Sequence, residues 1–164
     1  ESAGLLEMFQ WTTLGESARD MLAAVQSALE DVSIFIAAAA VADWRPADFS
    51  TKKIKKDGSG AVPSLAFVEN PDILATVANS DRAQQGQLYC VGFAAESDNL
   101  LAHASAKRVR KNVPLLVGNI GPATFGQDDN TLLLIDAHGS SALPRASKAQ
   151  LGHALIAEIA RRLP

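Results

Sequence analysis

Residues Ile34 to Lys56, IFIAAAAVADWRPADFSTKKIKK, constrain this chain more than any other stretch. Ile34, Phe35 and Ile36 suit a strand buried on both faces. The alanines from Ala37 to Ala40 make a poor strand core but let a flat ligand or a second backbone come close. Asp43 then falls just past the strand's carboxyl end, where open α/β sheets bind ligands. Pro46 ends any regular element there. Lys52, Lys53, Lys55 and Lys56 follow, with Ile54 between them. A buried strand followed by a solvated basic loop accounts for the same residues about equally well. The functional reading rests on the order of parts at one strand exit: small residues, an acid, then lysines.

With 164 residues the chain is expected to form one domain, 1–164, large enough for a proper core. A net charge of −3 argues against general affinity for nucleic acid or an anionic membrane. The basic residues are concentrated at Lys52–Lys56 and Lys107–Lys111, which suits a small anion better than a polymer. No apolar run reaches the roughly 18 residues a membrane span needs, and no signal peptide is visible. Cys90 is the single cysteine, so no intrachain disulfide can form and a cytoplasmic setting is the default. It lies within the apolar run Leu88–Phe93 and reads as a small core residue.

Strand and helix patterns alternate along the chain. Leu5–Thr12 reads as a short strand. Thr13 or Leu14 leads into a helix near Glu16–Leu29, with Met21, Leu22, Val25 and Leu29 on one face. Ser33–Ala39 is the central strand. Asp57–Gly60 is a turn, and Val62–Val68 alternates loosely as a strand. Glu69-Asn70-Pro71-Asp72 opens a helix to about Ala78, with Pro71 in its first turn. Leu88–Ala95 is a strand, Glu96–Asn99 caps a helix through Lys111, and Pro114–Val117 is another buried strand. A loop from Asn119 to Asn130 precedes a hairpin of Thr131–Ala137 and Ser141–Pro144 around His138-Gly139. Lys148–Leu163 closes the chain as an amphipathic helix. The expected fold is α/β and Rossmann-like: a mostly parallel sheet, helices on both faces and a C-terminal β-hairpin. Neither GxGxxG nor GxxxxGK[ST] occurs, so phosphates are held differently or a phosphate-binding start lies outside this chain.

Several groups can carry chemistry, each beside a plainer explanation. Lys107 and Lys111 lie four apart and share a helix face. The helix dipole favours cations there; two like charges on one face also invite an anion between them. Asn70-Pro71-Asp72-Ile73 offers backbone N–H groups at a helix start, or is simply a well-capped helix. Phe93 can stack on a base or belong to the core. Asp43, Asp128 and Asp129 can hold a divalent ion, although Asp128 and Asp129 read equally as turn residues. His103, His138 and His153 have no metal-ligand spacing, and no protein nucleophile motif is present.

Taken in order, AAVADWRP, KIKK, ENPDIL, VGFAAE, KRVRKN and FGQDDN resemble the bacterial phosphopantothenate–cysteine ligase family, also called phosphopantothenoylcysteine synthetase. The resemblance runs from about Val25 to the end. In many bacteria the family forms the C-terminal half of a bifunctional coenzyme A biosynthesis protein. The resemblance implies a CTP-dependent ligase acting on 4′-phosphopantothenate and cysteine, with Mg2+. An FMN-dependent decarboxylase enters only if one is fused upstream. It further implies Lys53 as the catalytic lysine. Ala37, Ala38, Ala39, Asp43, Pro71, Asp72, Ile73, Leu74, Phe93, Lys107 and Lys111 join Lys53 as CTP contacts. Asp43 matches the nucleotide-site aspartate and is the candidate metal ligand. The family is a cytoplasmic homodimer, with the AAVAD region near the interface. The KIKK segment is a mobile flap for which Gly58 and Gly60 would serve as hinge.

The family begins with a GPT-type strand and an asparagine-bearing segment that this sequence does not match, so the chain is expected to be a piece of a larger protein. A non-catalytic nucleotide-binding or dimerisation module is the competing reading. A dinucleotide oxidoreductase domain is a third, and the absent glycine fingerprint speaks against it.

Overall fold

The computed structural model describes residues 17–48, 64–96, 99–120 and 128–163. The expected strand at Leu5–Thr12, the lysines from Lys52 to Lys56, the glycines Gly58 and Gly60, and residues 121–127 lie outside them. The elements run α1 (Ala18–Ala28), β1 (Ile34–Ala37), β2 (Trp44–Pro46), β3 (Phe67–Glu69), α2 (Ile73–Ala78) and α3 (Asp81–Gln84). They continue with β4 (Tyr89–Glu96), α4 (Leu100–Lys111), β5 (Leu115–Ile120), β6 (Asp129–Ile135), β7 (Ser140–Ser147) and α5 (Lys148–Arg162).

The main sheet has the order β1-β4-β5-β6-β7. β1, β4 and β5 are parallel, while β6 and β7 form the expected antiparallel hairpin. The strands' pleat sorts their side chains into two layers. Cys90, Ala94, Leu116 and Ile135 face one side and pack with α1, α2 and α4 through Leu22, Val25, Ile73, Val77 and Ala104. Val91, Leu115, Val117, Leu132 and Leu134 face the other and pack on Leu151, Leu155 and Ile159 of α5. Helices therefore cover both faces of a Rossmann-like sheet. Cys90 is 1% exposed, and burial pushes its thiol up to about 11.

Capping boxes start α1 and α5. Ser17 Oγ accepts from the Asp20 N–H at 3.2 Å and Ser147 Oγ from the Gln150 N–H at 3.3 Å, with each return bond made. Such caps contribute about 1 kcal/mol each. α1 thus begins at Ala18 behind the Ser17 cap, and the expected lead-in at Thr13 or Leu14 lies outside the described residues. Met21 is 38% exposed, while Leu22, Val25 and Leu29 face the core.

Other local differences have local causes. Pro71 precedes the helix it was expected to open, because the Asp72 carboxylate takes the N-cap position. Of the expected Val62–Val68 strand, the described portion is extended only over Phe67–Glu69, where it pairs with β2. Pro46 is the last residue of that short ribbon, and Trp44–Pro46 as a strand was not foreseen. β7 continues past Pro144 to Ser147, since Pro144 lies at an irregularity in the edge-strand pairing and owes no ladder bond there. Asn112 ends α4 in the left-handed region at φ 55°, a conformation asparagine tolerates well.

Candidate functional site

The exits of the parallel strands bring the first group of candidate residues together. Ala37 closes β1 beside Gly92 of β4, and Ala38 and Ala39 follow in the open. Gly92 has a packing role. A Cβ there would lie 2.6 Å from Leu74 Cδ2 and 2.8 Å from Leu116 Cδ1, so its bareness lets Leu74 of α2 rest directly on the sheet. Gly118 does the same for Leu100 of α4, at 2.9 Å. Small residues thus seat both α2 and α4 on the sheet.

A polar tie joins the segment after β1 to the segment before α2. The Asn70 backbone N–H donates to the Asp43 carbonyl at 2.7 Å. Its side-chain Nδ2 donates to the Ala42 carbonyl at 2.8 Å, and its Oδ1 accepts from Arg45 Nη1 at 3.1 Å. Arg45 Nη1 also donates to the Glu69 carbonyl. Asp43 is thereby fixed next to the Pro71–Leu74 turn, although the two lie far apart in sequence. The sequence offers Asn70 only for backbone N–H groups within Asn70–Ile73, and Arg45 not at all. The available signal was an asparagine ahead of a proline, which a simple helix cap explains as well.

Asp72 has two duties. One carboxylate oxygen accepts from the Ala75 N–H at 3.0 Å and caps α2; the other pairs with Lys111 Nζ. The anion expected between Lys107 and Lys111 is, for Lys111, a carboxylate of the protein itself. Lys107 sits one turn earlier on α4, half-buried. Phe93 is also half-buried, but it packs in the α5 layer, on the sheet face opposite Ile73 and the Leu74 side chain. The fold therefore links Ala37 to Leu74 across Gly92, Asp43 to the segment that leads into Pro71, and Asp72 to Lys111, and leaves Phe93 across the sheet.

Among the described residues no three His, Cys, Asp or Glu side chains come together as a metal cage. Asp129 is held by Arg145, whose Nε and Nη2 donate at 2.8 Å each, and this pairing keeps its carboxyl below the usual range. Asp128 contributes its carbonyl to the Lys148 N–H at 3.0 Å. Asp43 remains as an exposed carboxylate at a strand exit. A cavity of about 580 Å³ opens at the opposite end, near Ser33, Gln87, Arg108 and Asn112, and shares no residue with the candidate set.

A mostly parallel sheet with helices on both faces defines the class: a Rossmann-like α/β domain. The chain belongs to the family described as the DNA/pantothenate metabolism flavoprotein C-terminal domain, which matches residues 11–163. It is 40% identical over 150 residues to the coenzyme A biosynthesis bifunctional protein CoaBC of Escherichia coli K12, covering 89% of this chain and 36% of that protein. The chain thus spans little more than a third of that relative. The solved C-terminal domain of a CoaBC protein superposes with a TM-score of 0.68 at 27% identity, over 91% of this chain and 64% of that one. A Cab2 variant solved in complex with phosphopantothenate-cysteine shares the fold, with a TM-score of 0.65 at 20% identity over 88% and 50% of the two chains.

Proposed function

We propose that this chain is the ligase portion of a coenzyme A biosynthesis protein and joins 4′-phosphopantothenate to cysteine at the expense of CTP. The phosphopantothenate carboxylate attacks the α-phosphate of CTP, forming an acyl-cytidylate and releasing pyrophosphate. The cysteine amine then attacks the acyl carbon, expels CMP and loses a proton. No protein nucleophile is required. The observation that carries the reading is the tie between Asp43 and the Asn70–Leu74 segment at the strand exits. It sets two of the family-like segments side by side where such sheets bind ligands. Family membership and the CoaBC relative support the same reaction.

In this reading residues 1–164 are one domain, and Ala37, Ala38 and Ala39 let the nucleotide approach the backbone. Pro71, Asp72, Ile73 and Leu74 contact the base through main-chain groups. Lys107 and Lys111 face the phosphates, and Phe93 contributes from the far side of β4. Lys53 stabilises the charge that builds as pyrophosphate leaves and as CMP is expelled. Asp43 fits a divalent ion that arrives on the triphosphate, since such an ion asks for only one or two protein carboxylates. Bound Mg2+ would neutralise charge on the departing pyrophosphate. FMN enters only if a decarboxylase is fused upstream, and it takes no residue of this chain. The setting is cytoplasmic, and no helix among the described residues is long and apolar enough to cross a membrane.

A homodimer is part of the same reading. The β2–β3 ribbon turns Trp44 and Phe67 outward, 61% and 57% exposed. A two-stranded ribbon is marginal in water without cover, and a second copy of this chain would supply it. A monomer by sedimentation velocity at micromolar concentration would refute that part.

The test is pyrophosphate and CMP release by the full-length protein given 4′-phosphopantothenate, cysteine and magnesium, with CTP or ATP. Stoichiometric, CTP-dependent formation of phosphopantothenoylcysteine is expected. CTP binding without product would favour the non-catalytic module, and product formed equally well without CTP would overturn the reading.

A further inference from the structure

We infer that Asn70 is a positioning residue that locks the loop after β1 to the loop before α2, so that the two halves of the nucleotide site act as one unit. This rests on the function proposed above and concerns a residue that contributes no ligand contact of its own. Asn70 uses its backbone N–H, its amide donor and its amide acceptor at once, on Asp43, Ala42 and Arg45. A carboxylate would keep the acceptor and lose the donor; a hydroxyl would be too short to serve both ends. Pro71 adds to the effect. The residue before a proline is steered toward extended backbone, so Asn70 presents its amide at reduced entropic cost. Arg45 backs the arrangement from β2, where its half-buried guanidinium holds the Glu69 carbonyl and Asn70 Oδ1 together.

The consequence is geometric. Asp43 and Ala42 are held by their carbonyls, which leaves the Asp43 carboxylate exposed at the strand exit. Asn70 leads directly into Pro71 and Asp72. A shift of either loop is therefore passed to the other through Asn70, and a site that must grip both ends of one nucleotide gains from that coupling.

The experiment uses the full-length protein, with CTP varied at saturating 4′-phosphopantothenate and cysteine. Asn70→Asp should raise the KM for CTP about tenfold and lower kcat less than about threefold, as expected for loss of a positioning hydrogen bond. In an Asp43→Ala background the same change should raise KM less than about twofold, since the bonds from Asn70 to the Ala42 and Asp43 carbonyls persist there but the carboxylate they place is gone. A lowered melting temperature with an unmoved KM, or additive penalties, would overturn the inference by reducing Asn70 to a structural role. Should Asn70→Asp not fold, Arg45→Met carries the test with an expected KM increase of about threefold, and no change would overturn it. A wild-type protein without CTP dependence overturns both this inference and the proposed function. A CTP-dependent wild type with an unmoved KM in the variants overturns the inference alone.

Discussion

Two regions of the molecule, the hairpin with α5 and the segments that follow β1 and precede α2, handle their charged groups differently. Around the hairpin, cations and carboxylates saturate one another. Arg145 grips both oxygens of Asp129, and Arg162 reaches Asp136 at 3.5 Å as well as Glu158, which also pairs with Arg161. Beyond β1 the bonds tie separate segments to one another: Asn70 holds Ala42 and Asp43 and accepts from Arg45, and Asp72 at the start of α2 pairs with Lys111 at the end of α4. The hairpin region has closed its electrostatics in the folded chain. The segments beyond β1 have used their polar groups to hold each other in place, Lys111 included through its pair with Asp72. Rigid pairing and binding draw on the same side chains, and the difference lies in what completes them.

The comparison can be broken most severely at Lys53. Lys53→Ala should lower ligation by at least ~100-fold while the melting temperature stays unchanged, measured by product formation and calorimetry. Wild-type rates in that variant would remove Lys53 from the mechanism. Next is Gly92→Val, which drives methyl groups into Leu74 and Leu116. It should destabilise the fold by about 1–3 kcal/mol and weaken CTP binding as α2 lifts. A variant as stable as wild type would mean that α2 is not seated through that contact.

A paired substitution then sharpens the contrast. Lys111→Ala should raise the KM for CTP about tenfold, while Arg145→Ala should leave it within about twofold although it frees Asp129. Equal effects from the two would erase the distinction between the regions. The smallest effect is in acid. Glu158 is held below its ordinary value of 4.5 by hydrogen bonding from Arg162, helped by Arg161. Burial pushes Asp136 upward, but bonding from the His138 N–H and pairing with Arg162 bring it below its ordinary 3.8. Carboxyls depressed in the fold add stability that is present above those ordinary values and is lost as pH falls through the lower folded ones. Arg162→Met should therefore cost no more than about 1 kcal/mol near neutrality, with the difference from wild type narrowing as pH drops below the carboxylate range. A constant difference across pH would mean that Arg162 acts through packing alone.

Much of the architecture was legible because it is local and periodic. The apolar runs at Ile34–Ile36, Leu88–Ala95 and Leu115–Val117 have the length and branching of buried strands. The Leu151, Leu155 and Ile159 stripe announces α5, and Asn70-Pro71-Asp72 announces a helix start. Alternation of those signals was enough for a Rossmann-like sheet with a hairpin at its end. The β2 strand was not legible, because three residues containing a proline carry no period of their own and become extended only by pairing with Phe67–Glu69.

The candidate site divides along the same line. Its residue types and their clustering could be read directly: alanines and Asp43 after a strand, two lysines four apart, an acid at a helix cap. Their partners could not. That Lys111 reaches Asp72 and that Asn70 holds Ala42 and Asp43 depends on contacts between segments far apart in the chain. Phe93 falls in the α5 layer through strand alternation and the choice of which face α5 covers. By itself the sequence determined the sheet, the helices and the chemical character of one edge, since apolar period and capping act over a few residues. Only the tertiary structure decided which charges meet and which loops are bound together, because contacts between distant segments exist once the sheet has set their separation and direction.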